Sequence, residues 1–391
     1  MNRWSFPNIA GWALVGSLLA FGGGCSSTQS EPAEPTPEGG ACAMGAWKGR
    51  DRLAPAKTPP CELGVSEVPQ FVSLGFDDNG DAEGMTWALD MLAARSGTAS
   101  FYMTSNYGQD AQVLSTWRRA RDEGHELGNH TIDHAEGASF SLEDWQREIE
   151  GCNDFLTAGD DPLVRASDLV GFRAPYLSYN DAMLSAVQRA GLTYDCSIEE
   201  GYEDGQDGRN FFWPYTLDEL SPGHSAQVAW GDGKQELSAH AGLWELPVYA
   251  LFVPPDEACE AYGVPSGFRA KMKTVQEWFD ADSGAITGFD YNLWASKAEG
   301  GFEMTPAEFV ATLKYTFDQR LAGNKAPFLL GVHSAYYGSE WDGNAPGAQS
   351  AKERQGAIEA FLDYVLSQGA EVVSARQVLQ WMRDPVARAS N

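Results

Sequence analysis

FVSLGFDDNG, residues 71–80, is an apolar run that ends abruptly on two adjacent aspartates and a turn. Residues 71–76 are a mostly apolar run carried by Phe71, Val72, Leu74 and Phe76, which predicts a buried strand, and Asp78-Asn79-Gly80 is turn chemistry that stops it. Two carboxylates at the mouth of a buried strand are costly to desolvate unless a cation, a proton or hydrogen-bond donors compensate them. A capping and turn role would account for the pair taken alone. What the pair does therefore depends on what the rest of the chain sets opposite it.

Downstream, strand patterns alternate with helical ones. Strands are predicted at 71–76, 99–103, 169–172, 193–196, 244–249, 328–332 and 371–374. Helices are predicted at 84–95, 113–123, 142–157, 182–190, 306–321 and 357–366, with Ser141 and Asp144 forming a capping box before the third. Strands separated by helices imply a mainly parallel sheet and an α/β fold. Between residues 200 and 324 the alternation gives way to Gly- and aromatic-rich sequence, and 259–301 matches no pattern. Polar residues of chemical interest each follow an apolar run: His130-Thr-Ile-Asp-His134 after GHELGN, Arg173-Ala-Pro-Tyr176 after DLVGF, and His333 after PFLLGV. An α/β barrel places its active site at such carboxyl ends of strands.

The paired aspartates, the H-[ST]-x-x-H spacing, the R-x-P-Y run and the late histidine, in this order, resemble the polysaccharide deacetylases of carbohydrate esterase family four. PQFV before the aspartates, RAPYLSYN, FFWPYTLDE, LWELPVYALF and RQVLQWMRDP resemble the chitin-deacetylase-like branch, over about residues 69–385. The resemblance implies a distorted (β/α) barrel with fewer than eight regular units. It also implies one divalent metal ion, expected to be Zn²⁺, held by Asp78, His130 and His134. Spaced i and i+4, the two histidines are read as lying on one face of a helical turn.

By the same resemblance Asp77 is the general base, charged and aimed by a fork from Arg173. Tyr176 offers its backbone N–H to the oxyanion, and His333 is the general acid for the departing nitrogen. Two departures stand out. A leucine is usual where Gly331 stands, which reshapes the acetyl-methyl pocket. The aspartate region that steadies the histidine and ends in a tryptophan is recognisable as YDCSIEE, which makes Asp195 the candidate orienting carboxylate. The implied activity is removal of N-acetyl groups from chitin-like amino-sugar polymers or oligomers. O-acetyl ester hydrolysis on xylan or another acetylated glycan uses the same water attack, and a non-catalytic carbohydrate-binding protein with this fold is the alternative of another class. Among the aromatic residues, Tyr336, Tyr337 and part of the 211–215 cluster are groove candidates for stacking on sugar rings, and Trp244 is expected in the core.

The ends of the chain are read as export. Arg3 precedes an apolar core at 9–21, too short to span a bilayer comfortably, followed by Gly22-Gly23-Gly24-Cys25. This resembles a lipoprotein signal (1–24), with Cys25 lipidated and the protein held at a bacterial membrane facing the periplasm or exterior. Residues 25–66 form a Ser/Pro/Glu tether and extension, 67–385 the catalytic domain and 386–391 a tail. A net charge of −28 disfavours nucleic acid as a partner. Cys42, Cys61, Cys152, Cys196 and Cys259 suggest two disulfides and one thiol.

Overall fold

A computed structural model describes residues 52–231, 234–341 and 349–388. The expected signal, Cys25, most of the tether, Cys42 and the end of the tail lie outside these residues. Thirteen strands are present among them: β1 Phe71–Asp77, β2 Ser100–Met103, β3 Glu126–Asn129, β4 Gly171–Phe172, β5 Tyr194–Asp195, β6 Glu199–Glu200 and β7 Tyr215–Thr216. They continue with β8 Trp244–Glu245, β9 Val248–Tyr249, β10 Leu251–Phe252, β11 Ala285–Ile286, β12 Phe328–His333 and β13 Glu371–Val372. Nine of them form one sheet in the order β12-β1-β2-β3-β4-β5-β8-β7, with β13 also on β1. Every pairing in it is parallel except β7 with β8. The sheet curls into an incomplete barrel, and the helices that cross between successive strands account for its parallel ladders.

The helices are α1 Ala82–Ala93, α2 Ala111–Asp122, α3 Leu142–Thr157, α4 Asp181–Arg189, α5 Pro222–Trp230 and α6 Asp256–Cys259. After them come α7 Phe268–Val275, α8 Asp290–Trp294, α9 Pro306–Ala322, α10 Ala351–Ser367 and α11 Ala375–Arg383. Side-chain caps fix where the long ones begin. Asp81 and Asp110 accept from the first-turn N–H groups of α1 and α2, and the predicted Ser141–Asp144 box opens α3. β1 is buried along its whole length, with Val72, Leu74 and Phe76 in the core. No helix among the described residues is long and apolar enough to cross a membrane.

Several expectations need correction. The run 244–249 is two strands rather than one, because Pro247 has no N–H to give a ladder, and its halves pair with different partners, β5 and β6. The aromatic cluster at 211–215 is core rather than groove: Phe211, Trp213 and Tyr215 are buried, as is Tyr337, stacked on Trp87 at 4.6 Å. Trp244 is buried, as expected. Cys61 is disulfide-bonded while Cys152, Cys196 and Cys259 are buried free thiols, which leaves room for one disulfide rather than two.

The segment 259–301, which had no sequence reading, covers the β12 edge of the sheet. Phe289 makes an isolated parallel bridge to Gly331, and the Gly331 N–H donates to the Gly288 carbonyl at 2.9 Å. Its α8 begins at Asp290, with Trp294 stacked on Phe309 at 4.2 Å to pin that helix to α9.

Candidate active site

Asp77 and His333 are the last residues of β1 and β12, and they are register partners in that parallel pair. His130 and Arg173 directly follow β3 and β4. One cleft of about 930 Å³ is lined by Asp77, Asp78, His130, His134, Tyr176 and His333. Arg173 is buried behind it, 4% exposed.

Asp78 is aimed by a turn rather than by strand alternation. Asp78 and Asn79 both lie in the left-handed region, φ 65° and 57°, and the buried Asn79 amide donates to the carbonyls of Phe76 and Tyr102. Trp117 Nε1 donates to the Asn79 carbonyl and locks the turn from α2. The strand therefore stops at Asp77, and the next carboxylate swings towards β3.

The two histidines do not share a helical turn. Residues 130–134 form an irregular loop in which Thr131 and His134 take positive φ, 70° and 53°. That loop is held by its neighbours: Asn129 Oδ1 accepts from the Thr131 N–H, and Thr131 Oγ1 from the His134 N–H. Glu148, buried on α3, accepts from the N–H groups of Ile132 and Asp133. The result brings the rings to 4.9 Å between centroids. Neither Asn129 nor Glu148 was a sequence candidate, because each acts on backbone whose shape only the fold reveals.

His130 Nε2 and His134 Nε2 stand 3.6 and 3.0 Å from Asp78 Oδ1. His130 Nδ1 lies 2.8 Å from the Arg173 carbonyl, which can only accept, so Nδ1 carries the proton and Nε2 presents a lone pair. Burial pushes His130 down to about 4, so the ring is neutral at physiological pH. Burial alone would push Asp78 up, but His134, His333 and His130 more than offset it and hold the carboxyl well below the usual range. A neutral imidazole lone pair facing a carboxylate oxygen is repulsive unless a cation lies between them. The three ligand atoms all lie within 4.8 Å of one another, and the two separations from Asp78 suit donors on one ion with bonds of about 2.1 Å. The donor set therefore fits a divalent metal, with the His130–Arg173 contact as the outer hydrogen bond that fixes the tautomer.

Arg173 does not grip Asp77 in a fork. Nη1 alone donates to Asp77 Oδ1 at 2.7 Å and also to the Gly75 carbonyl at 3.2 Å, while Nε donates to the Cys196 carbonyl at 3.1 Å. The guanidinium lies over the Tyr102 ring, 4.4 Å from its centroid. Tyr176 has φ 57° and is 37% exposed, its ring set edge-on to that of His134 with 4.7 Å between the centroids.

The carboxylate on His333 is Asp290, not Asp195. Asp290, fully buried at the start of α8, accepts from His333 Nδ1 at 2.8 Å and from its backbone N–H at 3.0 Å. Burial works against a charged imidazole, but Asp290 outweighs it and, with smaller help from Asp78 and Asp77, pushes His333 up to about 9. Asp195 instead accepts from the Ser197 hydroxyl at 2.7 Å, and Ser197 Oγ accepts from the Ala174 N–H at 2.8 Å. It props the Arg173–Tyr176 loop from beneath. The signal for Asp290 was present as a lone acid in GFDYNLW, followed by a tryptophan. Its surroundings match no strand or helix pattern, so the sequence alone does not set it opposite His333.

Aromatic rings flank the cleft: Tyr336 stacks on His333 at 4.6 Å and on Trp341 at 4.4 Å, and Tyr107 and Tyr291 line the walls. Trp341 and Tyr291 were not foreseen.

Comparison with known proteins adds sequence likeness to this geometry. The pattern of the family described as polysaccharide deacetylase matches residues 65–194. A peptidoglycan-N-acetylglucosamine deacetylase from Bacillus cereus is 29% identical over 148 residues, 37% of this chain and 64% of that protein. Chitin deacetylase 8 from Bombyx mori is 21% identical over 342 residues, 84% of this chain and 74% of that one. A chitooligosaccharide deacetylase from Sinorhizobium fredii is 31% identical over 122 residues, 31% of this chain and 54% of its own length. Two of these three relatives are thus spanned over less than two thirds of their length.

Proposed function

The chain belongs to the polysaccharide deacetylase family, carbohydrate esterase family four, and from that premise we propose that it is a metal-dependent hydrolase removing N-acetyl groups from chains of N-acetylglucosamine. The observation that carries this reading is the convergence of two histidine Nε2 atoms on Asp78 Oδ1, beside Asp77 and His333 on adjoining strand ends. A divalent ion on Asp78, His130 and His134, expected to be zinc, would supply Lewis acidity that makes water a competent nucleophile near neutral pH. Asp77, held by the permanent cation of Arg173, takes the proton of the attacking water. The Tyr176 backbone N–H is assigned to the developing oxyanion.

His333, protonated up to about pH 9, gives its proton to the departing nitrogen while Asp290 steadies the ring. That proton favours an amide over an ester substrate, because an amine leaves poorly as an anion and an alkoxide needs less help. Volume and lining support a chain rather than a single sugar: about 930 Å³ walled by Tyr107, Tyr176, Tyr291, Tyr336 and Trp341, rings that suit the C–H faces of pyranoses. Acetate release from N-acetylglucosamine oligomers of rising length, beside acetylated xylan and with and without chelator, tests it. Activity should rise with oligomer length and vanish on chelation. Preference for the xylan would overturn the substrate, and full activity in chelator the metal.

We further propose export with a lipid on Cys25. Mass spectrometry of the mature amino terminus checks this, and an unmodified terminus beginning elsewhere would refute it.

A further inference from the structure

Two glycines face each other directly beneath the paired strand ends. Gly75 and Gly331 are register partners, and so are Asp77 and His333 two residues on. Alternation along a strand puts Gly75 on the face of Asp77, and Gly331 on the face of His333. Neither glycine brings a side chain to the floor below those two groups. The space is filled from elsewhere: a Cβ on Gly75 would meet Arg173 Nη1 at 2.8 Å, and one on Gly331 would meet the Phe289 ring at 2.3 Å. Arg173 is committed to Asp77. Phe289 is therefore the apolar part of that floor, facing the cleft, 6% exposed, 5.7 Å from the His333 ring and 5.2 Å from the Arg173 guanidinium.

Its position is not left to side-chain packing. The bridge to Gly331 fixes its backbone, and the next residue, Asp290, is fastened to His333 by two hydrogen bonds. A carbonyl carbon attacked between Asp77 and His333 carries two substituents besides its oxygen. The nitrogen leads to the sugar and the aromatic walls, and the alkyl end must go to an apolar surface.

We propose that Phe289 is the residue that sets which acyl group this enzyme removes, its ring closing the floor so that acetyl fits and longer chains do not. The inference rests on the deacetylase reading. Its test uses glucosamine oligomers bearing N-acetyl, N-propionyl or N-butyryl groups, with release of the free acid measured as kcat/KM for each. Each methylene that a pocket wall refuses is worth about 10- to 200-fold in discrimination. The wild type should disfavour butyryl relative to acetyl by at least about 100-fold, and F289A should shrink that preference by at least about 10-fold, with F289L between.

The reciprocal change separates a specific wall from general loosening. G331L alone should lose activity on every probe, since its side chain has no room beside Phe289. In the F289A background the same leucine refills the floor and should return the acetyl preference. Melting curves identify a variant that fails to fold, in which case F289L and the double variant carry the test. Acetyl preference unchanged in F289A and F289L, with acetate still released, overturns the inference alone. No acid released by the wild type from any probe overturns the deacetylase reading and, with it, this inference.

Discussion

Asp290→Asn isolates the charge on His333 from its placement. The amide keeps the size of the carboxyl and an oxygen that can still accept from Nδ1, but it carries no charge. His333 stands at about 9 instead of an ordinary 6.5, and Asp290 is the main cause working against burial. At about 1.4 kcal/mol for each tenfold in proton affinity, that rise is worth about 3 kcal/mol in favour of the charged ring. Without the carboxylate, burial is opposed only by the smaller pull of Asp78 and Asp77, and the ring is expected to return towards its ordinary 6.5. At pH 8 the protonated fraction should fall from about 90% to about 3%, a loss of about thirtyfold, whereas at pH 5.5 the two proteins should differ by less than about twofold. The descending limb of kcat against pH moves down accordingly, measured as acetate release from an N-acetylglucosamine oligomer between pH 5 and 10.

Stability follows the same proton. The folded-state value of His333 lies above the unfolded one, so its contribution is fully present below about pH 6.5 and is lost as pH climbs through about 9. The melting temperature deficit of Asp290→Asn should be largest near pH 6 and close towards pH 10. Asp195→Asn, by contrast, should leave the limb where it is, because Asp195 supports the Arg173–Tyr176 loop. Superimposable descending limbs for wild type and Asp290→Asn would refute the assignment of His333 as the acid steadied by Asp290.

The remaining predictions concern the other half of the site. His130→Ala and His134→Ala should each lose most of one bound divalent ion per chain, read by elemental analysis, and unchanged stoichiometry in both would remove the metal site. Asp77→Asn should retain the ion and lose on the order of 100-fold or more in turnover, since an amide is nearly isosteric but takes no proton at neutral pH. Near-normal acetate release by that variant would rule out the base. Glu148→Gln keeps its packing but weakens the two hydrogen bonds to Ile132 and Asp133, and should lower metal affinity by about 10-fold, as loss of an outer-shell support does. An unchanged metal titration would show that the loop holds its shape without that charge.

What was legible in the sequence follows the range over which each interaction acts. β1, α3 and α9 were read within a residue or two, because burial on both faces of a strand and Ser or Thr caps are written locally. Most of 200–301 was not, since its strands are two residues long and carry no period. Apart from Trp244, whose apolar run marks it as core, its aromatic residues gave no sign of facing inward. Tyr215 is buried because its hydroxyl reaches Glu200 and Ser221, partners that only the fold supplies. The spacing of His130 and His134 was legible, but the helical turn inferred from it was wrong. A loop with two left-handed residues serves equally well once Asn129 and Glu148 hold it.

The same distinction separates the reacting groups from those that make them work. Asp77 and His333 stand on adjoining strands, and each is given an opposite charge in a low-exposure setting: Arg173 from the end of β4, Asp290 from the segment that covers β12. In the proposed roles the base must be charged and the acid protonated at the same pH, which two unpaired buried groups would resist, since burial favours neutral forms of both. The Asp290 carboxylate reverses that tendency for His333, and Arg173 Nη1 sets a permanent cation 2.7 Å from Asp77 Oδ1. Removing one member of a buried pair strands the other, at several kcal/mol, so each partner is bound to its neighbour by stability as well as by chemistry. For Asp290 the dependence extends further, because α8 and the Phe289 bridge hold it in place. The insertion that interrupts the strand and helix alternation is accordingly part of the site, and changes that loosen it should be felt first in the proton supplied by His333.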